Sequence, residues 1–251
     1  MNENVIVNII SLYKPGVRLD NFLNELDILT AKGFNIFCVL QNYPDDIIRA
    51  IRRKNNVQVL ITEAKNPGHA SNIFLKEFYK MDYNYALMIH DDILLDAQLR
   101  TKEQDTIRYL IENIEKSEKD VAAITLQENS FVWRNLENPE IKETLHFWEP
   151  FYILKNLKKI YDLEIYFSED IFGVEGTHFS CELLRNNLKV MFHYGQCSFK
   201  QLLYKSTYGD KETKKKKLIE YRKKIYELNK DIFTLTKNFQ LRRKQNALKE
   251  I

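Results

Sequence analysis

The chain has 251 residues, 44% hydrophobic and 12% aromatic, with 7 Gly and 5 Pro; this suits one large domain, or a domain with an appendage, and speaks against long flexible loops. Net charge is +3, yet residues 211–251 hold 14 Lys/Arg against 5 Asp/Glu, so a strongly basic tail follows a mildly acidic body. Cys38, Cys181 and Cys197 make no CxxC pair, no apolar run approaches the ~20 residues of a membrane span, and the start MNENVIVNIISLY lacks a signal-peptide pattern, so neither structural zinc nor a membrane span is expected and a cytoplasmic protein is, with peripheral contact at the inner face of the membrane left open.

Val5 to Tyr13 is a β-branched apolar run stopped by Lys14-Pro15-Gly16, a strand and its turn. Leu19, Phe22, Leu23, Leu26 and Leu29 recur at helical spacing up to Lys32-Gly33. Asn35 to Leu40 reads as a second strand, Asp45 to Arg53 as a short helix and Val57 to Ile61 as a third strand. Asn66-Pro67-Gly68 breaks the chain before a helix over Ala70 to Tyr79, and Tyr85 to Ile89 is a fourth strand that runs into His90-Asp91-Asp92.

Thr106 to Ile114 reads as helix and Val121 to Leu126 as strand. An aromatic stretch with Trp133, Trp148, Phe151 and Tyr152 follows, then Ser168-Glu169-Asp170, a helix over Phe179 to Asn186 and a short strand from Lys189 to Phe192 that ends at His193-Tyr194-Gly195. From about Phe199 the chain is helical and basic, with Leu218, Tyr221, Ile225, Leu228, Ile232, Leu235 and Phe239 at spacings of three or four, an amphipathic helix.

Strands alternating with helices predict an α/β fold with a mostly parallel central sheet flanked by helices over residues 1–200, and a basic helical C-terminal extension over 201–251. Ligands of such sheets sit beyond the carboxyl ends of the strands, so function is expected in the turns Tyr13-Lys14-Pro15, Gln41-Asn42-Tyr43, Glu63 to Gly68 and His90-Asp91-Asp92. Two adjacent carboxylates at a strand end raise each other's pKa, and a hard divalent cation relieves the conflict. The bland alternative is that Asp91 or Asp92 caps the next helix.

The segment NPGHASNIFLKEFYKMDYNYALMIHDDILL resembles family 2-like glycosyltransferases of the GT-A fold, a Rossmann-like arrangement in which an N-x-G-x-x-x-N-type loop and helix precede a D-x-D strand end. The resemblance covers residues 4 to 127. It implies donor contacts from Asn66, Gly68 and Asn72, a sugar or ribose contact at His90 and a metal ligand at Asp92, with Asp91 beside them in both roles. His90 departs from the Asp usual at its position. SLYKPG resembles the loop bordering the nucleotide base, implying Ser11 and Tyr13; VLQNYPDD resembles the second base-reading loop, implying Gln41 and Asn42. Asp170, 78 residues past Asp92, falls where the family supplies its base, with Glu169 second; the alternative is a pair of helix-start acids. His193 matches the region of a late metal-binding His, with His178 and His146 as weaker rivals. Trp133, Trp148, Phe151 and Tyr152 are candidates for an acceptor face, sugar faces stacking on aromatic rings, with Trp133 and Trp148 foremost; the alternative is a hydrophobic cluster under the sheet.

The resemblance therefore implies an enzyme, a glycosyltransferase using Mn2+ or Mg2+ to move a sugar from a nucleotide-diphosphate donor, first of all a UDP-sugar, to an acceptor hydroxyl with inversion. The expected acceptor is a bacterial surface glycan or glycolipid. A phage-type enzyme glycosylating modified DNA bases is the alternative, and a nucleotidyltransferase or a non-catalytic binding module are the rivals of other classes. The basic tail suits packing on the body, contact with anionic lipid, self-association or DNA backbone binding.

Overall fold

The computed structural model describes residues 3–64, 66–95, 105–128, 140–145, 150–170, 175–199, 201–202 and 211–235. Trp133, Trp148 and His146 lie outside them, as does the tail from 236 onward.

The first four strands, β1 (Val5–Leu12), β2 (Asn35–Gln41), β3 (Val57–Ile61) and β4 (Tyr85–His90), pair in parallel in the order β3-β2-β1-β4. Their connections are α1 (Val17–Ala31), α2 (Asp45–Arg52) and α3 (Pro67–Phe78). Gly33, at φ 74°, ends the α1 region, with the Phe34 amide returning to the Leu29 carbonyl at 3.2 Å; glycine adopts that left-handed turn without penalty. Register places Leu12 beside Gln41, Leu40 beside Ile61 and Ile10 beside His90. All four carboxyl ends therefore share one edge.

The second half continues the sheet through α4 (Thr106–Lys116), β5 (Val121–Glu128), β6 (Glu140–Thr144), β7 (Phe151–Lys155), α5 (Leu157–Tyr161), α6 (Glu175–Arg185) and β8 (Lys189–Phe199), completing an eight-stranded sheet among the described residues in the order β3-β2-β1-β4-β7-β5-β8-β6. Strand β7 is antiparallel to both β4 and β5. Phe151 and Tyr152, expected in an aromatic acceptor face, are core residues of this strand, 0% and 1% exposed. The five-residue run FYILK is buried throughout, as a central strand requires.

Helices cover both faces. Phe22, Leu26 and Leu29 of α1, Ile48 and Ile51 of α2, and Ile107, Leu110 and Ile114 of α4 pack on one face. Phe74 and Phe78 of α3, Leu157 of α5, and Phe179 and Leu183 of α6 pack on the other. Each such side chain stabilises the fold by roughly 1.5–3 kcal/mol relative to exposure.

The extension forms α7 (Lys211–Leu228) and α8 (Lys230–Leu235), a broken helix rather than the continuous one that the periodicity predicts. Asn229 at the break is fully buried; its side chain reaches His178 and accepts from Arg185 Nη1 at 3.0 Å, and Arg185 also pairs with Asp231. Ile225, Ile232 and Phe233 pack with Cys181 and Leu145, whereas Leu228, expected on the apolar stripe, is 50% exposed. The extension thus docks on α6. No helix among the described residues is long and apolar enough to cross a membrane.

Candidate functional site at the carboxyl edge of the sheet

Side chains along β4 alternate between faces. Ala86 and Met88 meet the α3 layer, Leu87 and Ile89 the α1 layer. The alternation sends His90 toward α3 and Asp91 toward α1. There Arg18, in the first turn of α1, grips Asp91 with two nitrogens: Nε donates to Oδ2 at 2.8 Å and Nη2 donates to Oδ1. Ser11 Oγ donates to Oδ2 at 2.6 Å and is itself paired with the Tyr43 hydroxyl at 2.5 Å. Asn21 Nδ2 donates to the carbonyls of Asp91 and Ile93, at 2.8 and 3.0 Å, fixing the turn beyond the strand.

Two expectations change here. Asp91 is fully buried with both oxygens committed to Arg18 and Ser11, so it anchors the strand end and does not face a ligand. Ser11, also fully buried, belongs to the same anchor rather than to a donor surface. Burial still pushes the Asp91 carboxyl up, against the opposing pull of Arg18.

Asp92 is held differently. Leu202 N–H donates to its carbonyl at 2.7 Å, Gln201 Nε2 donates to Oδ2 at 2.7 Å, and Ile93 bridges Gln201 in antiparallel fashion. Its Oδ1 is buried and accepts no hydrogen bond from any other described residue. Burial raises the Asp92 carboxyl, offset in part by the bond from Gln201 and the charge of Arg18. Lys14, in the turn after β1, feels the charges of both Asp91 and Asp92, although burial and the Arg18 charge lower its pKa more than the two acids raise it. A buried carboxylate oxygen that accepts no hydrogen bond from another described residue is chemically suited to a hard cation. Asp92 fits a divalent metal; Asp91 does not.

His90 donates its backbone N–H to the Pro150 carbonyl at 2.9 Å, and burial lowers its imidazole pKa to about 4. It is neutral near pH 7 and presents one donor and one acceptor.

His193 does not join Asp92. Strand β8 continues past the predicted end at Phe192, so His193 is a mid-strand residue paired with Leu126 and Ile141. At that level β8 lies three strands from β4, about 14 Å at the usual inter-strand spacing. Its Nδ1 lies 2.8 Å from the Tyr109 hydroxyl of α4, and burial lowers its pKa to about 4. His178 pairs with Asn229 at the extension. Among the described residues no group of three or more His, Cys, Asp or Glu is placed to hold a metal.

In the neighbouring turns, Tyr13 N–H donates to the Gln41 carbonyl at 2.9 Å, and the Tyr13 and Tyr43 rings meet edge to face at 5.3 Å. Gln41 Nε2 donates to the Ala64 carbonyl at 3.1 Å. Asn42, exposed, takes a left-handed φ of 57°. Tyr13, just after β1, and Gln41 and Asn42, at the end of β2, thus lie on the same carboxyl edge.

Asn66, Gly68 and Asn72 face a different partner from the expected donor. Helix α3 begins at Pro67, three residues earlier than predicted, because Asn66 Oδ1 caps it through the His69 amide at 2.7 Å and proline suits the first helical position. Asn66 Nδ2 donates to the Glu169 carbonyl at 2.7 Å. Asn72, 2% exposed, accepts from Phe167 N–H at 2.7 Å and donates to the Phe167 carbonyl at 2.9 Å and to Glu169 Oε1 at 3.2 Å. A Cβ on Gly68 would sit 3.2 Å from Glu175 Cγ and 3.3 Å from both Phe167 Cβ and the Ser168 carbonyl oxygen. The motif binds the segment before Asp170 and carries Glu169 and Asp170, both exposed, back toward the carboxyl edge.

Sequence reasoning missed Arg18, Asn21, Gln201 and Glu25. The Glu25 carboxyl is fully buried, accepts from Asn21 Nδ2 at 3.0 Å through Oε1, and has no partner for Oε2 among the described residues. Burial first, then the Asp91 charge, raises it well above the ordinary range. A carboxyl raised in the fold contributes stability that is complete below its unfolded pKa and is lost as pH rises through the folded one. Glu25→Gln is therefore expected to match wild type in melting temperature near pH 4 and to exceed it increasingly toward neutral pH, measured by thermal denaturation across that range.

No family model and no curated protein matches the sequence. Solved structures do match. Staphylococcus aureus TarS 1-349 in complex with UDP is 16% identical and superposes with a TM-score of 0.59 over 98% of this chain and 70% of that one. TarS 1-349 in a second crystal structure gives a TM-score of 0.57 over 88% of this chain and 64% of that one. Glucosyl-3-phosphoglycerate synthase from Mycobacterium tuberculosis, in complex with Mn2+, UDP and phosphoglyceric acid, is 10% identical, with a TM-score of 0.51 over 80% of this chain and 72% of that one. The chain thus spans 64% to 72% of the length of these three structures and shares their GT-A-type fold.

Proposed function

We propose that this chain is a metal-dependent glycosyltransferase that moves a sugar from a nucleotide-diphosphate donor, a UDP-sugar foremost, to an acceptor hydroxyl with inversion. The observation that carries it is Asp92 Oδ1, buried at the carboxyl end of β4 without a hydrogen bond from any other described residue. Leaving a buried carboxylate oxygen unsatisfied costs stability, and such a cost is retained where a ligand removes it. Solved structures of the same fold include one with UDP and one with Mn2+ and UDP, which supports this choice of ligands.

Asp92 would hold Mn2+ or Mg2+, and the bound cation supplies neutralisation of charge on the leaving diphosphate. Lys14, in the turn after β1, adds a positive charge felt at Asp92. Neutral His90 suits hydroxyl groups of ribose or sugar, donating to one and accepting from another. Tyr13, Gln41 and Asn42 border the base, an amide being able to both donate to and accept from a uracil edge. Asp170, with Glu169 as the alternative, takes the proton from the attacking hydroxyl. A glycan or glycolipid is the acceptor class to test first.

The test needs no acceptor. Thermal shift and slow donor hydrolysis are measured over a set of nucleotide-sugars with Mn2+, with Mg2+ and with chelator. A UDP-sugar is expected to raise the melting temperature and to release UDP only when metal is present. Equal shifts in chelator, or none with any nucleotide, would contradict the proposal.

A further inference from the structure

We infer that Asn66 and Asn72 are positioning residues for the acid-bearing segment Ser168-Glu169-Asp170, and not donor contacts; the inference rests on the assignment of the base to that segment. The topology makes the need plain. Strand β7 runs antiparallel to β4, so it leaves the sheet at the edge away from the strand ends, Tyr85 lying beside Lys155. The chain must then return along α3 to bring an acid back to the carboxyl edge.

Three rungs guide that return. Tyr79 Oη donates to the Ile165 carbonyl at 2.8 Å, Asn72 makes the paired bonds to Phe167, and Asn66 Nδ2 donates to the Glu169 carbonyl. The rungs climb α3 from its carboxyl end to its N-cap while the segment climbs from 165 to 169. At the top, Asn72 Nδ2 also reaches the Glu169 carboxylate. Gly68 lies between the two upper rungs, where a Cβ would crowd Phe167 and the Ser168 carbonyl of the segment at 3.3 Å. Both amides are committed: Asn72 has its oxygen and nitrogen on residues 167 and 169, and Asn66 has its oxygen on the cap and its nitrogen on 169. What they determine is where Glu169 and Asp170 stand, and an offset of about 1 Å in a catalytic group lowers turnover by up to about a hundredfold.

Asn66→Ser separates the functions, because serine caps a helix about as well as asparagine but lacks the amide nitrogen that donates to the Glu169 carbonyl, and its hydroxyl is held at the cap. Asn72→Asp is the second variant; it keeps the acceptor for Phe167 N–H and loses both donated bonds. UDP affinity is measured by calorimetry, turnover at saturating donor and acceptor, and hydrogen exchange at the amides of Phe167 to Asp170. Asn66→Ser is expected to lower turnover about tenfold or more, leave UDP affinity within about twofold, and leave the melting temperature near wild type. Exchange at 169 and 170 is expected to rise in both variants. UDP affinity falling in step with turnover would overturn the inference and return these residues to the donor site. Unchanged turnover in both variants would overturn it as well. If wild type binds UDP but transfers no sugar, the assignment of the base fails with it, and unchanged exchange would show separately that the rungs hold nothing.

Discussion

Asp92→Asn is expected to lower sugar transfer by roughly 10²–10³-fold, the scale at which loss of one charge-stabilising group is felt, while leaving the melting temperature unchanged or slightly higher. The two outcomes have one cause. Burial disfavours the charged form of Asp92, so the neutral amide is easier to fold around. Asn still accepts from Gln201, which holds Oδ2 in the wild type. A residue whose removal damages activity and spares stability is serving a ligand and not the fold. Enzyme kinetics together with thermal denaturation of the same preparation provide the check; a marked loss of stability would instead make Asp92 part of the strand-end anchor.

Arg18→Leu is expected to behave in the opposite way. Its partner Asp91 has 1% of its side chain exposed, and Arg18 itself only 18%. Removing one member of a buried pair leaves an uncompensated charge and costs about 3–5 kcal/mol, which for a domain of this size is a fall of roughly 6–20 °C in melting temperature. Buried Glu25 on one side and Asp92 on the other sharpen the penalty, since both acids feel Asp91 or Arg18. Adding Asp91→Asn to Arg18→Leu should recover more than half of the loss, because the stranded charge is gone. Denaturant unfolding of the two single variants and the double variant reads this directly. No recovery in the double variant would mean that Arg18 matters through packing alone.

These two residues mark what was and was not legible in the sequence. The parallel half of the sheet was legible because each strand is a local apolar run and each helix a local periodicity, and the run Tyr85 to Ile89 leads straight into the acids. The strand-end turns followed from that order. Phe151 and Tyr152 were misplaced because a five-residue apolar run fits a buried strand and an exposed aromatic face equally well until its neighbours are known. His193 was misplaced because Gly195 suggested a turn where the strand continues. The division of labour within Asp91-Asp92 was not legible at all. It is decided by Arg18, 73 residues away from Asp91, and by Gln201, 109 residues away from Asp92. Asn72 likewise finds its partner Phe167 across 95 residues. Side chains that polarise or brace a site across such separations leave no local pattern. The one available hint was Arg18, a lone arginine in the first turn of a helix, where the macrodipole favours acids and a base needs a reason to be present.

Calorimetric titration of UDP into wild type and Asp92→Asn, each with Mn2+ and with chelator, tests the central claim most directly. Mn2+ is expected to strengthen UDP binding to wild type and this gain to disappear in Asp92→Asn, with the weaker metal-free binding left similar in both. An equal gain from Mn2+ in the two proteins would contradict it, placing the cation somewhere other than at Asp92.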